Sequence, residues 1–562
     1  MLITDDQLKT LLLQNAHVSQ ENIDAIESYA KNSGGTLFDG VVERGFMTDD
    51  KLGLLIADYL HYPFIQVSRN TIPDEVFHII PERVANKQRV IPFEKDGDTL
   101  KLAMADPTNV QVAQFITQKT GLKTIAYLTT DREIENTLKI YRKDISSTFE
   151  ELLKEGIGTD DLSKTDDEAP IGKIVDLLIE FAYQDRASDI HIEPQEKSSL
   201  VRFRIDGILH DMLNMPKSFH ERVISRIKIL SRLRTDEHLS PQDGKMRIKL
   251  EDEDLDIRVS ILPMTEGEKV ALRLLASKTR KFSLADLGMN ATDLGKVIVA
   301  YNKSYGMILS TGPTGSGKTT SIYSILKILN TREKNITTIE DPVEYRIKGV
   351  NQIQVNTKTD LTFANGLRSI LRQDPNIVFV GEIRDDETAG IAVNAALTGH
   401  LVLSTLHTND AATALPRLID MGVEPFLVAS TVNIIIAQRL VRRTCDVCRT
   451  AYKMRRSDLL QNLPQEIVLK HFPAGDEITV YKGNGCKICH QTGYAGRIGV
   501  FEVLEVTKNI KELITQKVDS DVIVRKAMEE GMQTMLDDGL EKVSKGVTTV
   551  EEVMRVTKVE KI

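Results

Sequence analysis

The chain has 562 residues, a formal net charge of −9, four cysteines and no tryptophan. That length exceeds what one hydrophobic core organises and predicts three to four domains, while the acidic balance argues against a nucleic-acid partner bound through its phosphates. Four cysteines exclude a disulfide scaffold, the lack of about 18 consecutive apolar residues argues against a spanning helix, and Met1-Leu2-Ile3-Thr4-Asp5-Asp6 lacks the basic and apolar regions of a secretory signal, so a cytoplasmic protein is expected.

Residues 1–143 read as a separate unit. Leu2-Ile3-Thr4-Asp5-Asp6-Gln7-Leu8 is echoed by Phe46-Met47-Thr48-Asp49-Asp50-Lys51-Leu52, each with Thr at an N-cap and acids in the first turn, where the helix dipole favours them. Two related helical half-units are expected from the echo. Val90-Ile91-Pro92-Phe93 and Leu100-Lys101-Leu102-Ala103-Met104, separated by Asp96-Gly97-Asp98, read as a hairpin. No chemistry is evident here, and a docking or regulatory role follows. Residues 144–169 turn acidic and polar, ending Asp166-Asp167-Glu168-Ala169-Pro170. A flexible linker with a short helix near residues 149–153, or a solvated helical hairpin, accounts for that composition.

Residues 170–282 carry strands of a second module. Leu200-Val201-Arg202-Phe203-Arg204-Ile205 alternates apolar and basic before an Asp206-Gly207 turn, and Leu255-Asp256-Ile257-Arg258-Val259-Ser260-Ile261 alternates likewise. Lys269-Val270-Ala271-Leu272-Arg273-Leu274-Leu275 sets Arg273 in an apolar run. Arg258 and Arg273 are costly in such strands unless an anion meets them or an internal acid pairs with them. From Gly306 to about Arg439 strands and helices alternate, which predicts a parallel sheet covered by helices. The most apolar patch, residues 432–437, reads as a buried helix.

Gly312-Pro313-Thr314-Gly315-Ser316-Gly317-Lys318-Thr319 has the spacing of a phosphate-binding loop. Glycines let successive backbone N–H groups turn toward phosphates, and the helix that follows aims its positive end at the anion. Lys318 supplies a point charge, the Thr319 hydroxyl is placed to ligate Mg²⁺, and Thr320 continues the cradle. Met307-Ile308-Leu309-Ser310 reads as the strand leading in and residues 321–329 as the helix leading out. A nucleoside triphosphatase is expected.

Acids at later strand ends supply the remaining chemistry. Ile336-Thr337-Thr338-Ile339-Glu340-Asp341-Pro342-Val343-Glu344 is one such end, and Ile377-Val378-Phe379-Val380-Gly381-Glu382 has the form of a Walker B strand. Ligands gather at the carboxyl ends of strands in open α/β sheets, so these acids are expected to face the nucleotide. His407 ends another apolar strand, where it contacts the γ-phosphate or is simply a loop residue. Cys445-Asp446-Val447-Cys448 and Cys486-Lys487-Ile488-Cys489 use every cysteine in two C-x-x-C pairs, a four-thiolate set for Zn²⁺. Free thiols or a redox pair are the alternative. A closed four-sulfur site serves folding rather than catalysis.

With these motifs in this order, the chain resembles the secretion ATPase superfamily of type II secretion and type IV pili across residues 1–562. It looks most like the pilus-extension members. Residues 312–319 match that family's Walker A motif. Thr338-Ile339-Glu340-Asp341-Pro342-Val343-Glu344 matches its aspartate box, and Leu371-Arg372-Gln373-Asp374-Pro375 through Gly381-Glu382-Ile383-Arg384-Asp385 its Walker B. Leu397-Thr398-Gly399-His400 through Ser404-Thr405-Leu406-His407-Thr408-Asn409 matches its histidine box. The four cysteines match the zinc motif of assembly and secretion members, which retraction ATPases lack.

The resemblance implies a multidomain α/β chain. Residues 1–143 would be a docking domain, 144–169 a linker, 170–282 an α+β, PAS-like lobe, and 283–562 a RecA-like ATPase domain with a zinc subdomain at about 440–500. It implies a homohexamer with a neck near residue 280, ATP and Mg²⁺ as cofactors beside structural Zn²⁺, and Arg258 and Arg273 closing over the nucleotide. Glu382 would position the attacking water, Asp341 and Glu344 with Glu340 would organise Mg²⁺ and water, and His407 would sense the γ-phosphate. Arg368, Arg372 and Arg384 are further contacts. The implied partners are an inner-membrane platform protein and secretion adaptors, with the motor peripheral to that membrane and driving pilin extraction and polymerisation, or alternatively type II protein export. A DNA motor would need a basic pore or aromatic stacking platforms, and the acidic charge and lack of Trp count against it. Some relatives bind cyclic di-GMP through Arg-Leu-Gly segments; Gly35-Thr36-Leu37-Phe38-Asp39-Gly40-Val41-Val42 lacks that Arg and the adjacent Gly, which argues against this ligand.

Overall fold

The computed structural model describes residues 2–557 except 15–17, 21, 25, 28–35, 44, 45, 48, 68–71, 139–144, 146, 147, 151–167, 251–253, 276–283, 474, 487 and 488. Two compact units result, Met1–Tyr141 with Phe282–Ile562, and Arg142–Lys281. Among the described residues no helix is long and apolar enough to cross a membrane.

The chain opens with helices Asp5–Gln14, Leu37–Glu43 and Asp49–Leu60. The first starts where its sequence predicts. The Gln7 N–H donates to Thr4 Oγ1 at 3.3 Å while the Thr4 N–H donates to Gln7 Oε1 at 2.9 Å, a reciprocal cap. The corresponding Thr48 lies outside the described residues. β1 (Val90–Asp96) and β2 (Thr99–Met104) form the expected hairpin, and Gly97 takes the positive φ that its tight turn requires. β3 (Lys123–Leu128) then joins parallel to β2 after helix Val110–Thr120.

In the second unit β4 (Asp189–Pro194), β5 (Ser198–Ile205), β6 (Ile208–Pro216), β7 (Gln242–Lys249), β8 (Asp254–Met264) and β9 (Gly267–Leu275) form one antiparallel sheet. Their order is β6-β5-β4-β9-β8-β7. Alternation along each strand sends Ile190, Val201, Phe203, Ile257 and Leu272 into a core with Ile174 and Leu178 of helix Glu168–Gln184 and Val223 and Ile227 of helix Lys217–Leu230. Ile145 and Phe149 are buried in that same core, so the described part of the acidic stretch belongs to this unit. Residues 151–167 of the expected linker, and the neck expected near 280, lie outside the described residues.

The first unit also carries a seven-stranded sheet in the order β12-β11-β13-β14-β10-β15-β18. These strands are β10 (Gly306–Thr311), β11 (Ile336–Glu340), β12 (Asn351–Gln354), β13 (Ile377–Val380), β14 (Leu401–Leu406), β15 (Val432–Thr444) and β18 (Tyr494–Glu505). β16 (Arg449–Arg455) and β17 (Glu477–Gly483) pair separately. Six strands of the large sheet run parallel and β18 closes it antiparallel to β15. The phosphate loop leaves β10, near the middle.

One expectation is corrected. Residues 432–437 form the start of strand β15, not a buried helix. A continuous apolar run cannot distinguish the two by periodicity, and here β-branched Val432, Ile434, Ile435 and Ile436 fill a strand covered on both faces. The helix after the phosphate loop also starts earlier than read, at Lys318, and spans Lys318–Leu329.

Candidate functional site: the phosphate loop and its surroundings

Gly312, Gly315 and Gly317 all have positive φ, but two of them are also sterically required. A Cβ on Gly312 would meet the Gln438 carbonyl oxygen at 2.5 Å, and one on Gly317 would meet Gln438 Nε2 at 2.8 Å. Lys318 is buried and folds back over its own loop, donating to the carbonyls of Gly312 at 2.7 Å and Pro313 at 3.2 Å. Burial pushes its pKa down, with the Glu382 charge acting the other way. Thr319 and Thr320 begin the helix behind it.

Glu382 follows β13, and His407 follows the neighbouring β14. The strand pairing brings them together. His407 Nε2 lies 3.2 Å from one Glu382 oxygen, and Arg384 Nη2 lies 2.6 Å from the other. The Glu382 side chain is 12 % exposed, enclosed enough for these partners to fix its direction while an edge stays open. Its hydrogen bond to Glu382 holds Arg384 above the usual guanidinium range.

Glu340 stands apart from this cluster. It is buried and accepts hydrogen bonds from Thr338 Oγ1 at 2.5 Å, Gln352 Nε2 at 3.2 Å and the Tyr323 hydroxyl. Burial pushes its pKa up despite those donors. Its oxygens are engaged by its own chain, whereas Asp341 and Glu344, just beyond the end of β11, are exposed. Arg368 pairs with Glu387 at 2.5 Å, and Arg372 donates to the Arg368 carbonyl at 3.1 Å and to Ser369 Oγ at 3.1 Å.

Several residues that shape the site were invisible in the motifs. Gln438 of β15 reaches the phosphate loop, and the next residue, Arg439, donates to Asn409 Oδ1 at 3.1 Å in the loop after His407. Glu502 of β18 accepts from the Ala411 N–H of that same loop at 2.9 Å, and burial pushes its pKa up to about 7. The available signal was a pair of polar residues, Gln438 and Arg439, closing an apolar run.

In the other unit, Arg273 and Arg258 are direct cross-strand neighbours on β9 and β8, with Lys245 of β7 next in the row. They occupy the sheet face opposite the helices, so each is a residue of an alternating strand rather than a charge in a core. Asp189 of β4 sits opposite Arg273, accepting from its Nε at 2.9 Å, and Arg204 Nε approaches the same carboxylate at 3.4 Å. Arg273 remains 62 % exposed, so the pair leaves it accessible.

The four cysteines converge although their knuckles are 41 residues apart. The Sγ atoms of Cys445 and Cys486, and of Cys448 and Cys489, lie 3.8 Å apart, and those of Cys486 and Cys489 lie 3.6 Å apart. Disulfide sulfurs would be bonded at about 2 Å. Sulfurs about 2.3 Å from a central Zn²⁺ in a tetrahedron are separated by just under 4 Å, so the donor set fits that ion. The N–H groups of Cys486 and Gly493 point to Cys489 Sγ at 3.1 and 3.3 Å, a pattern that favours thiolate.

Comparison with known proteins agrees with this layout. The family model described as Type II/IV secretion system protein matches residues 164–555, and an MshEN domain model matches residues 60–147. The chain is 36% identical over 563 residues to a Myxococcus xanthus protein named Type IV pilus assembly ATPase PilB, covering 98% of both chains. It is 46% identical over 402 residues to Type II secretion system protein E of Pseudomonas aeruginosa, covering 72% of this chain and 78% of that one. The fold is shared with the Legionella pneumophila ATPase DotB, with TM-score 0.51 and 21% identity over 71% of this chain and 97% of the other. The phosphate loop on a central strand, the histidine and the acid paired at the ends of the next two strands, and the sequence match across most of the length agree: this chain belongs to the type II/IV secretion system protein family.

Proposed function

We propose that the chain is an ATP-hydrolysing motor that drives type IV pilus assembly. The observation that carries the enzymatic part is Glu382, an acid held between His407 and Arg384 at the end of β13, one strand removed from the phosphate-loop strand β10. A carboxylate fixed from two sides is suited to orient a water for in-line attack on a γ-phosphate. The backbone N–H groups of Gly315 to Thr319 bind the phosphates, and Lys318 turns from the Gly312 and Pro313 carbonyls to the anion. Thr319, with Asp341 and Glu344, would hold Mg²⁺, which would neutralise charge developing on the transferred phosphoryl group. His407, bonded to Glu382, is suited to report whether a γ-phosphate is present. Glu340 acts by hydrogen bonding to Tyr323, Thr338 and Gln352 at the end of β11.

Arg258 and Arg273, on an open sheet face, are the arginines proposed to meet ATP phosphates as the lobes of a homohexamer close. Asp189 then holds Arg273 between cycles. Cys445, Cys448, Cys486 and Cys489 hold a structural Zn²⁺. Repeated closure would act on a platform protein at the inner membrane, to which the motor binds peripherally, and residues 1–143 are the proposed docking domain. The relative aligned along almost the whole of both chains is named for pilus assembly. The higher identity to a secretion protein over the motor region favours a second reading, a motor for type II export.

One genetic experiment separates the two. Lys318→Ala in the chromosomal copy is expected to abolish surface pili and leave exported enzymes at normal levels. Loss of export with pili intact would transfer the protein to type II secretion, and retention of both would remove the motor reading altogether.

A further inference from the structure

We propose that Gln438 is the positioning residue that gives the phosphate loop its anion-binding shape. Gln438 lies on β15, more than a hundred residues beyond the loop, and is buried. Both halves of its carboxamide are used. Nε2 donates to the Ser316 carbonyl at 2.7 Å, and Oε1 accepts from the Ser321 hydroxyl at 2.6 Å. A carbonyl can only accept, so the Ser316 contact fixes which way the amide points, and Ser321 completes the pair.

The consequence for the loop follows from peptide geometry. In a trans peptide the C=O and the next N–H point in opposite directions. Holding the Ser316 carbonyl toward β15 therefore aims the Gly317 N–H away from that strand, into the concave side of the loop. Gly317 has φ +92 and no side chain, so rotation of the Ser316–Gly317 peptide meets little steric resistance of its own. A rotated peptide would present an oxygen to the phosphates instead of a hydrogen. Gln438 resists that rotation. Through Ser321 it also fixes the first turn of helix Lys318–Leu329, whose N-terminal end faces the anion. Leu440, two residues along β15 on the same face, packs beside it, 3.8 Å from where a Gly317 Cβ would stand.

This inference rests on the ATPase reading, and the test keeps the two apart. Gln438→Glu is nearly isosteric and keeps an acceptor for Ser321, but loses the donor to Ser316. Gln438→Met fills the same space with neither bond. MgATP and MgADP dissociation constants, KM, kcat and thermal unfolding are measured for both in the full-length protein, beside Lys318→Ala.

A buried carbonyl left unpaired corresponds to about a tenfold change in an equilibrium constant. Both variants are therefore expected to raise the nucleotide dissociation constants and KM about tenfold, with kcat changed less than about threefold and cooperative unfolding retained. Wild-type dissociation constants and KM in either folded variant would overturn the proposal. So would loss of kcat at unchanged KM, or failure of both variants to fold. Normal turnover by Lys318→Ala would instead overturn the ATPase reading itself.

Discussion

Glu382 has two partners from two directions, and that distinguishes it from the other acids of the region. Glu340 is buried and accepts from three donors of its own chain, whereas the Glu382 oxygens are each held by a single cation-capable group. Glu382→Gln removes the charge while keeping the shape. Its ATP turnover is expected to fall by at least about a hundredfold, with the MgATP dissociation constant within about threefold of wild type, read by single-turnover assay and equilibrium titration. Near-normal turnover would show that another group orients the water. At this scale much was legible in the sequence. The loop glycines, Lys318 and Glu382 are constrained by local spacing, because a phosphate cradle is built from consecutive backbone groups. Gln438, Glu502 and Asp189 were not legible, because each acts across a strand pairing that spacing does not encode.

Strand β15 is the element that sequence reasoning mistook, and it carries more of the site than any motif announces. Its first half is apolar on both faces, and its second half meets the C-terminal helix Val550–Val556. Glu552 of that helix accepts from Arg442 through its backbone N–H at 2.9 Å and its Nη2 at 2.7 Å, and from Arg555 Nη2 at 2.8 Å. Arg442 also stacks 4.0 Å over the Tyr494 ring. Burial would push Glu552 up, but the hydrogen bonds from Arg555 and then Arg442 prevail and hold it down to about 2. A depressed carboxyl contributes stability that is present above its unfolded pKa of 4.5 and lost as pH falls toward 2. Glu552→Gln is therefore expected to cost about 2 kcal/mol at pH 7 and little near pH 2.5, as the difference between wild-type and variant unfolding curves. A cost that stays the same across that range would mean the pair contributes only packing.

On the scale of the whole molecule, each unit solves its own burial problem. The six-stranded sheet of Arg142–Lys281 keeps one face for its core and leaves the other to Lys245, Arg258, Arg273, Arg204 and Asp189. The seven-stranded sheet is covered on both sides, as a mostly parallel sheet requires. Alternation of strands and helices made this layout readable from residue 306 onward, whereas β3 and β18 escaped because partners chosen across long crossovers leave no local trace. The two cysteine knuckles join the last two strands of the large sheet. Purified protein is expected to contain about one zinc per chain, and chelation is expected to lower the melting temperature with release of reactive thiols, measured by metal analysis and a thiol reagent. Protein with no zinc and an unchanged melting temperature would assign the cysteines a different role.

The numbering of β15 has a consequence for how such a chain tolerates change. Side chains alternate between the faces of a strand, so Gln438, Leu440 and Arg442 fall in phase on one side, the first two against the phosphate loop and the third against Glu552. One extra residue between Leu440 and Arg442 would put everything downstream out of phase, turning Arg442 from its acid and displacing the first knuckle at Cys445. Two extra residues would restore the phase but shift the knuckle by roughly 7 Å from Cys486 and Cys489. A change of length is thus refused on the strand that leads to the first cysteine pair.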